Sequence, residues 1–420
     1  MVGGSVSNES GSLVVPILVW VMGVAVFAQG TSEFMLSGLL EPIAQDVGVS
    51  LGAAGALTSL FAVGMIVGAP LMAMTAGRWP VRSALTGFLA LFIGAHAVGA
   101  LTANFIVLLA TRAVAAVAYA GFLSVALASL PALVGAARVG RATAIILSGV
   151  TLACIVGVPA GAFLGQTWGW RSAFWAVVAA SVPALVALWG LVRVPVDRVT
   201  TAEGRVIRRE WQAITERPVR VVLIAGGLVN AATFASFTYL AVLATEVGGA
   251  GKAWVPVFLA LFGLGSFLGV SLGGRYADRH ATPLVTIGSA ALIFAWATTA
   301  LTAQYLPILL IMTTVCGAVS FAVGSTLIGL IVSAATPTAP RMSGAFATAT
   351  FNIGAAAGPA VAGIAITSTG TPSAAVWTSA VISCAATAVT LIGRRPQHRT
   401  VDGVSAPSSA TPPRSRRTGQ

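Results

Sequence analysis

The chain reads as twelve apolar runs, each long enough to cross a bilayer as a helix. They cover approximately 13–40, 53–75, 84–102, 105–132, 142–164, 172–192, 221–244, 254–273, 283–301, 306–332, 343–367 and 375–392. About twenty consecutive apolar residues span the hydrocarbon layer. Backbone crossing lipid must satisfy its own hydrogen bonds, which such runs do only as helices. Only 8% of the 420 residues are charged, against about a quarter in soluble domains. The sequence therefore predicts an all-α integral membrane protein with twelve transmembrane helices.

The cations orient these spans. Twenty Arg residues fall on one side, in the even-numbered loops, the centre and the tail. Arg171 and Lys252 alone fall on the other, and Arg112 is inside a span. Such a bias marks the cytoplasmic side, so both termini and the central loop are expected in the cytoplasm and the protein in the cell membrane. The net charge of +12 does not signal nucleic acid, because the cations cluster between apolar runs and in the tail, with no interleaved aromatic or zinc-ligand pattern. The first twelve residues lack Lys and Arg and lead straight into a full span, which is no cleavable signal pattern.

Organisation follows from the same map. A cytoplasmic tail (1–12) precedes a six-helix half (13–192). A basic linker (193–220) leads to a second half (221–392) and a basic tail (393–420) expected to be disordered. The halves repeat. A shift of 201 places Gly64 on Gly265, Gly68 on Gly269, Leu71 on Leu272, Ala76 on Ala277 and Arg78 on Arg279. Transporters are commonly built from such repeats, with substrate held between them.

Intramembrane charge is scarce. Glu33 is the one ionisable side chain of the first run, and Arg112 stands within the fourth. A charge inside a membrane helix costs a few kcal/mol or more and normally faces a partner or a water-filled path. Two readings of Glu33 stand: a proton carrier lining a pathway, or an acid near the outer end of a long helix that reaches water. Arg112 either couples to that proton or anchors to backbone carbonyls; a guanidinium does not shed its charge by deprotonation. His96, alone in the third span, reads as a satisfied buried imidazole.

The fifth span carries Gly157, Gly161 and Gly165 at four-residue spacing, with Pro159 interrupting the ladder. This pattern suits a hinge or seal and equally suits close helix packing. Gly265, Gly269 and Gly273 repeat the stripe in the eighth span. Tyr119, Asn230, Phe234, Phe237, Tyr239 and Asn352 offer aromatic and amide groups to a cavity for an uncharged amphiphile, or serve helix packing. The chain has no phosphate-binding loop, HExxH or His/Cys cluster, so neither enzyme chemistry nor a cofactor is expected. Cys154, Cys316 and Cys384 are dispersed in apolar runs.

These residues carry a resemblance. The twelve spans in two halves, with GGRYADR at Gly274, Asp278 and Arg279 after span eight and TAGRWPVR at Arg78 after span two, resemble the major facilitator superfamily. Gly77 stands where the usual motif has Asp. Arg112 matches the Arg of the family's second motif, without the Gln and Gly that normally follow it. GVPAGAFLGQTWGWRSAFW resembles the antiporter motif at Gly157, Pro159, Gly161 and Arg171. GTSEFMLSGLL, LTSLFAVGMIVGAPLMA, AYAGFLSVALA, VNAATFASFTYLA and NIGAAAGP are similar to chloramphenicol-resistance exporters among the twelve-span drug:proton antiporters. Glu41-Pro42 reverses the order usual there.

The resemblance implies a central cavity and proton-driven export of chloramphenicol or a related amphenicol by a monomer. The proton gradient is then the energy source and no cofactor is needed. It implies proton coupling at Glu33 and Arg112, and gating at Arg78, Gly157, Pro159, Gly161, Asp278 and Arg279. An exporter of a sugar, a nucleoside or another drug remains the alternative. A non-transporting membrane sensor is the reading from a different class.

Overall fold

The computed structural model describes residues 16–75, 79–135, 139–191, 210–339 and 342–393. The N-terminal tail, Arg78, linker residues 193–209, Arg341 and residues 394–420 lie outside that set. Twelve helices among the described residues are long and apolar enough to cross a membrane.

In the first half these are α1 (Ile17–Phe34), α3 (Leu51–Thr75), α4 (Val81–Leu101), α5 (Phe105–Val134), the broken span α6 (Val139–Leu152) with α7 (Val158–Trp168), and α8 (Trp170–Leu191). A short helix, α2 (Leu40–Val47), follows α1. The second half holds α9 (Arg217–Phe237), α10 (Val255–Thr302), α11 (Leu306–Ala335), α12 (Ser343–Thr369) and α13 (Ser373–Gly393). The chain enters at Ile17 and leaves at Gly393 on one face of the bundle, called here the terminal face; the other is the far face.

Two spans and one junction differ from the form expected of them. The run expected over 13–40 is helical only to Phe34, then tightens to a 3-10 turn at Met35–Gly38. Gly38 wedges between the halves: a Cβ there would stand 2.6 Å from Ala162 Cβ and 2.8 Å from Leu259 Cδ1. The seventh span breaks likewise after Phe237, continuing as one turn and a π-helical segment at Leu243–Val247. Where a loop is expected between spans eight and nine, the two helices Lys252–Ala277 and His280–Thr302 follow each other across a kink at His280. α10 runs 48 residues, interrupted only by the non-helical backbone of His280. Asp278 and Arg279 lie in this helix, their side chains outside the described set.

Glycine positions the helices, and the two halves use it alike. Gly64 and Gly68 of α3 press on Ala116 and Ala120 of α5, while Gly265 and Gly269 of α10 press on Thr314 and Ala318 of α11. The residues matched by the repeat thus make the same contact, span two on four and span eight on ten. Without side chains the backbones approach closely, which is the main source of helix attraction in lipid.

The fifth span changes its winding at its middle. Pro159 has no N–H to give to the preceding turn, and a π-helical segment at Ala153–Gly157 precedes it. Gly157, Gly161 and Gly165 then face Thr31, Met35 and Leu39 of the first span.

The halves meet along two seams, α3 against α12 and α10 against the π-helical turn and α7. On the far face Gly52 abuts Gly363 and Thr367, and Gly55 abuts the Tyr239 hydroxyl. At mid-depth Gly263 abuts Cys154 and Ile155, and Ala62 packs with Phe234 and Ala355. Among the described residues α6, the terminal-face part of the fifth span, has no comparable contact with α10. Among the described residues the seam is packed from the far face to mid-depth, and α6 does not continue that packing toward the terminal face.

Candidate functional site

Glu33 lies in the last turn of α1, beside the break, roughly 24 Å along the helix from Ile17 at ~1.5 Å per residue. It is half-buried between the buried Ser32 and Met35. It is the only carboxylate within any of the twelve candidate spans. Arg112 of α5, and with it Tyr119 and Cys154, lie within its electrostatic field. One turn earlier Gln29 is fully buried, with neither end of its amide hydrogen-bonded among the described residues.

Arg112 and Glu33 make no ion pair. The guanidinium bonds instead to the residue before the acid: Nη1 donates to Ser32 Oγ at 2.7 Å and Nη2 to the Ser32 carbonyl at 2.8 Å. Its Cζ sits 4.3 Å from the centroid of the Phe61 ring, a cation–π contact in a dry setting. Arg112 is 1% exposed and its Nε is unbonded. His96 is satisfied, as expected: one ring nitrogen meets Ser32 Oγ and the other the Phe92 carbonyl.

The central cavity is a small aromatic pocket between the halves. It is lined by Phe34 and Cys154 from one half and by Thr233, Phe234, Phe237, Phe262, Ser266 and Phe321 from the other. Its volume is about 10 Å³, room for roughly one water. The rings fill it: Phe34 stands 5.8 Å from Phe234, and Phe237 stands 4.7 Å from Phe262. A drug-sized molecule enters only when these rings part. A roomier cavity of about 360 Å³, lined by Arg217, Val285 and Leu330 among others, lies wholly in the second half and away from Glu33.

Of the residues singled out from sequence, Phe234 and Phe237 line this pocket. Tyr119 is buried behind Glu33, near Gly30. Tyr239 is a far-face plug whose hydroxyl donates to the Pro359 carbonyl at 3.1 Å. Asn230 ties α9 to α12 by donating to the Phe351 carbonyl at 2.6 Å. Asn352 donates to Thr348 of its own helix at 2.9 Å. Gly157 and Gly161 pack on the first span, with Pro159 just inside α7. Sequence reasoning did not single out Ser32, Phe34, Phe262 or Phe321. Ser32 and Phe34 flank the acid, which was a usable signal; nothing in the spacing marks the other two.

Charged groups close the far face. Lys252 Nζ meets Glu41 Oε1 at 3.2 Å, joining the halves, and Gln45 donates to the same oxygen at 3.1 Å. Glu246 carries its carboxyl above the usual range, through partial burial and then the negative charge of Glu41. Within the first half, Arg171 and the Trp170 indole both donate to Asp46 Oδ2, at 2.7 and 3.2 Å. These bonds hold Asp46 below the ordinary carboxylate range.

Residues 22–350 match the Major Facilitator Superfamily. The chain belongs to that family. It is a multi-pass membrane protein of a transporter family that moves small molecules. It is 46% identical over 398 residues to the "Chloramphenicol resistance protein" of Streptomyces lividans, covering 94% of this chain and 100% of that one. It is 31% identical over 258 residues to the "Inner membrane transport protein YdhP" of Escherichia coli K12, covering 61% of this chain and 65% of that one. A solved bacterial homolog of the human lysosomal transporter Spinster, crystallised inward-facing and occupied, shares the fold. Its TM-score is 0.73 at 17% identity, over 90% of this chain and 96% of that one.

Proposed function

We propose that this protein exports chloramphenicol or a related amphenicol across the cell membrane in exchange for protons. The observation that carries the substrate is the 46% identity along the full length of a chloramphenicol resistance protein. The aromatic pocket is consistent with it: five Phe rings with Thr233 and Ser266 hydroxyls suit a neutral molecule with an arene and polar arms.

Glu33 carries the proton. It is the single acid inside the spans, and Phe34 and Cys154 connect its surroundings to the pocket. Arg112 is its coupling partner, since a nearby cation changes the carboxyl's proton affinity when their separation changes. With the termini in the cytoplasm, the packed far face is the outside, and the α6 side of the seam faces inward, where drug enters. No cofactor or enzymatic step takes part. The protein works as a monomer, with the proton gradient as its energy source.

The test uses everted vesicles carrying an acid interior and a pH-sensitive dye. Chloramphenicol addition should release protons, and Glu33→Gln should abolish the release while leaving the protein in the membrane. Release only with another compound would retire the amphenicol and keep the antiport. Undiminished release from Glu33→Gln would remove the acid from the mechanism.

A further inference from the structure

Arg112 faces an acid in a low-dielectric interior, yet it is bonded to a serine. The bonding pattern explains how. His96 has one ring nitrogen 2.8 Å from the Phe92 carbonyl. A carbonyl only accepts, so that nitrogen, Nδ1, carries the proton. In the neutral ring Nε2 is then an acceptor. It meets Ser32 Oγ, so the serine hydroxyl donates to it. The lone pairs of Ser32 Oγ are thereby left for Arg112, whose Nη1 donates into them at 2.7 Å. Every bond runs in one direction: guanidinium to hydroxyl, hydroxyl to imidazole, imidazole to backbone. Such a chain polarises each of its members.

We propose that Ser32 and His96 are positioning residues that hold Arg112 away from Glu33, so that the acid stays free to take up a proton. This inference rests on the proton-carrier role given above to Glu33. His96 is itself fixed between the Phe92 and Phe174 rings, at 4.1 and 5.6 Å between centroids. The groups that bear on Glu33 are Arg112 and Tyr119 from α5 and Cys154 from the π-helical turn. His96 reaches from α4, and α3 contributes the Phe61 ring. Among these Arg112 is the only cation, so its placement decides how strongly the carboxylate is favoured over the acid. Released from Ser32 Oγ, with Nη1 and Nε both unbonded, it would be drawn toward Glu33, the carboxylate whose charge it already feels. A cation at about 4–6 Å favours the ionised carboxyl strongly enough to move its titration by about one pH unit or more.

The carboxyl's own infrared band tests this without any substrate. The protonated C=O stretch that disappears in Glu33→Gln is titrated in reconstituted protein. Ser32→Ala and His96→Leu should move its midpoint to lower pH by about one unit or more. His96→Gln should restore it, because an amide oxygen can still accept from the serine hydroxyl. Midpoints in Ser32→Ala and His96→Leu that coincide with the unmodified protein, in membrane-inserted samples, overturn the proposal. So does a band weakened at every pH with an unmoved midpoint, which is what a merely structural role gives. A band unaffected by Glu33→Gln defeats the proton-carrier reading instead, and absent drug-driven release with an intact shift defeats only the substrate.

Discussion

The Phe34 and Phe237 ring centroids lie 6.4 Å apart, edge to face, across the boundary between the halves. Each is the last helical residue before the break in the first span of its half. The two broken helices therefore deliver one ring each to the same pocket, next to Glu33. Helix breaks in a membrane are tolerated where the backbone is buried or lines a cavity, and both conditions hold here.

This pairing makes the pocket's closure a property of two rings acting together. Phe34→Ala and Phe237→Ala should each weaken drug binding several-fold, because each removes part of the aromatic wall. The double variant should lose less than the product of the single losses, since neighbours that share one partner are not additive. Binding of labelled chloramphenicol to purified protein measures all three. Strict multiplicativity would mean that the two rings serve different molecules or different steps.

The glycine stripe of the fifth span should show a ranked sensitivity. A Cβ at Gly157 would overlap Thr31, whose hydroxyl is already committed to the Phe27 carbonyl at 2.8 Å and cannot turn away cheaply. At Gly161 the nearest atom, Met35 Cβ, stands 3.3 Å off. Gly157→Ala should cost about 1–3 kcal/mol through overpacking and displace the turn carrying Ser32 and Glu33. Gly161→Ala should be milder. Thermal melting in detergent, read beside transport, gives the order; equal melting points would show that the first span yields without strain.

The spans, the repeat and the one acid inside the spans were legible in the sequence because lipid imposes strong rules on length and charge. Gly64 and Gly265 could be matched by number alone, and they make the same contact. The breaks after Phe34 and Phe237 were not legible. No proline marks them, and Gly38 is explained only by Ala162 and Leu259, which are remote in sequence. The Arg112 bond to Ser32 was hidden for a related reason. Composition puts opposite charges in one membrane, but which oxygen a guanidinium takes depends on the neighbour that orients it. Here that neighbour is His96, from a third helix. Tyr239 looked like a cavity aromatic and became a far-face plug because Gly55 and Gly363 leave room for its hydroxyl.

The far-face anchor in the first half gives a pH-dependent contribution to stability. Arg171, and next Trp170, hold Asp46 below its ordinary value of 3.8 by hydrogen bonds. Above that value the carboxyl is ionised whether the chain is folded or not, and the stabilisation is fully present. It fades as pH falls through the lower folded value, where the bonded carboxylate is finally protonated. Both partners are partly exposed, with 35% and 43% of their side chains open to solvent, so solvent screening keeps the pair to about 1 kcal/mol or less. Melting of the unmodified protein and of Asp46→Asn should therefore differ by a small constant amount from neutral pH down to about 4. The two curves should converge in stronger acid. A gap that persists there would mean that the anchor works through the Trp170 indole and packing rather than through the charge on Asp46.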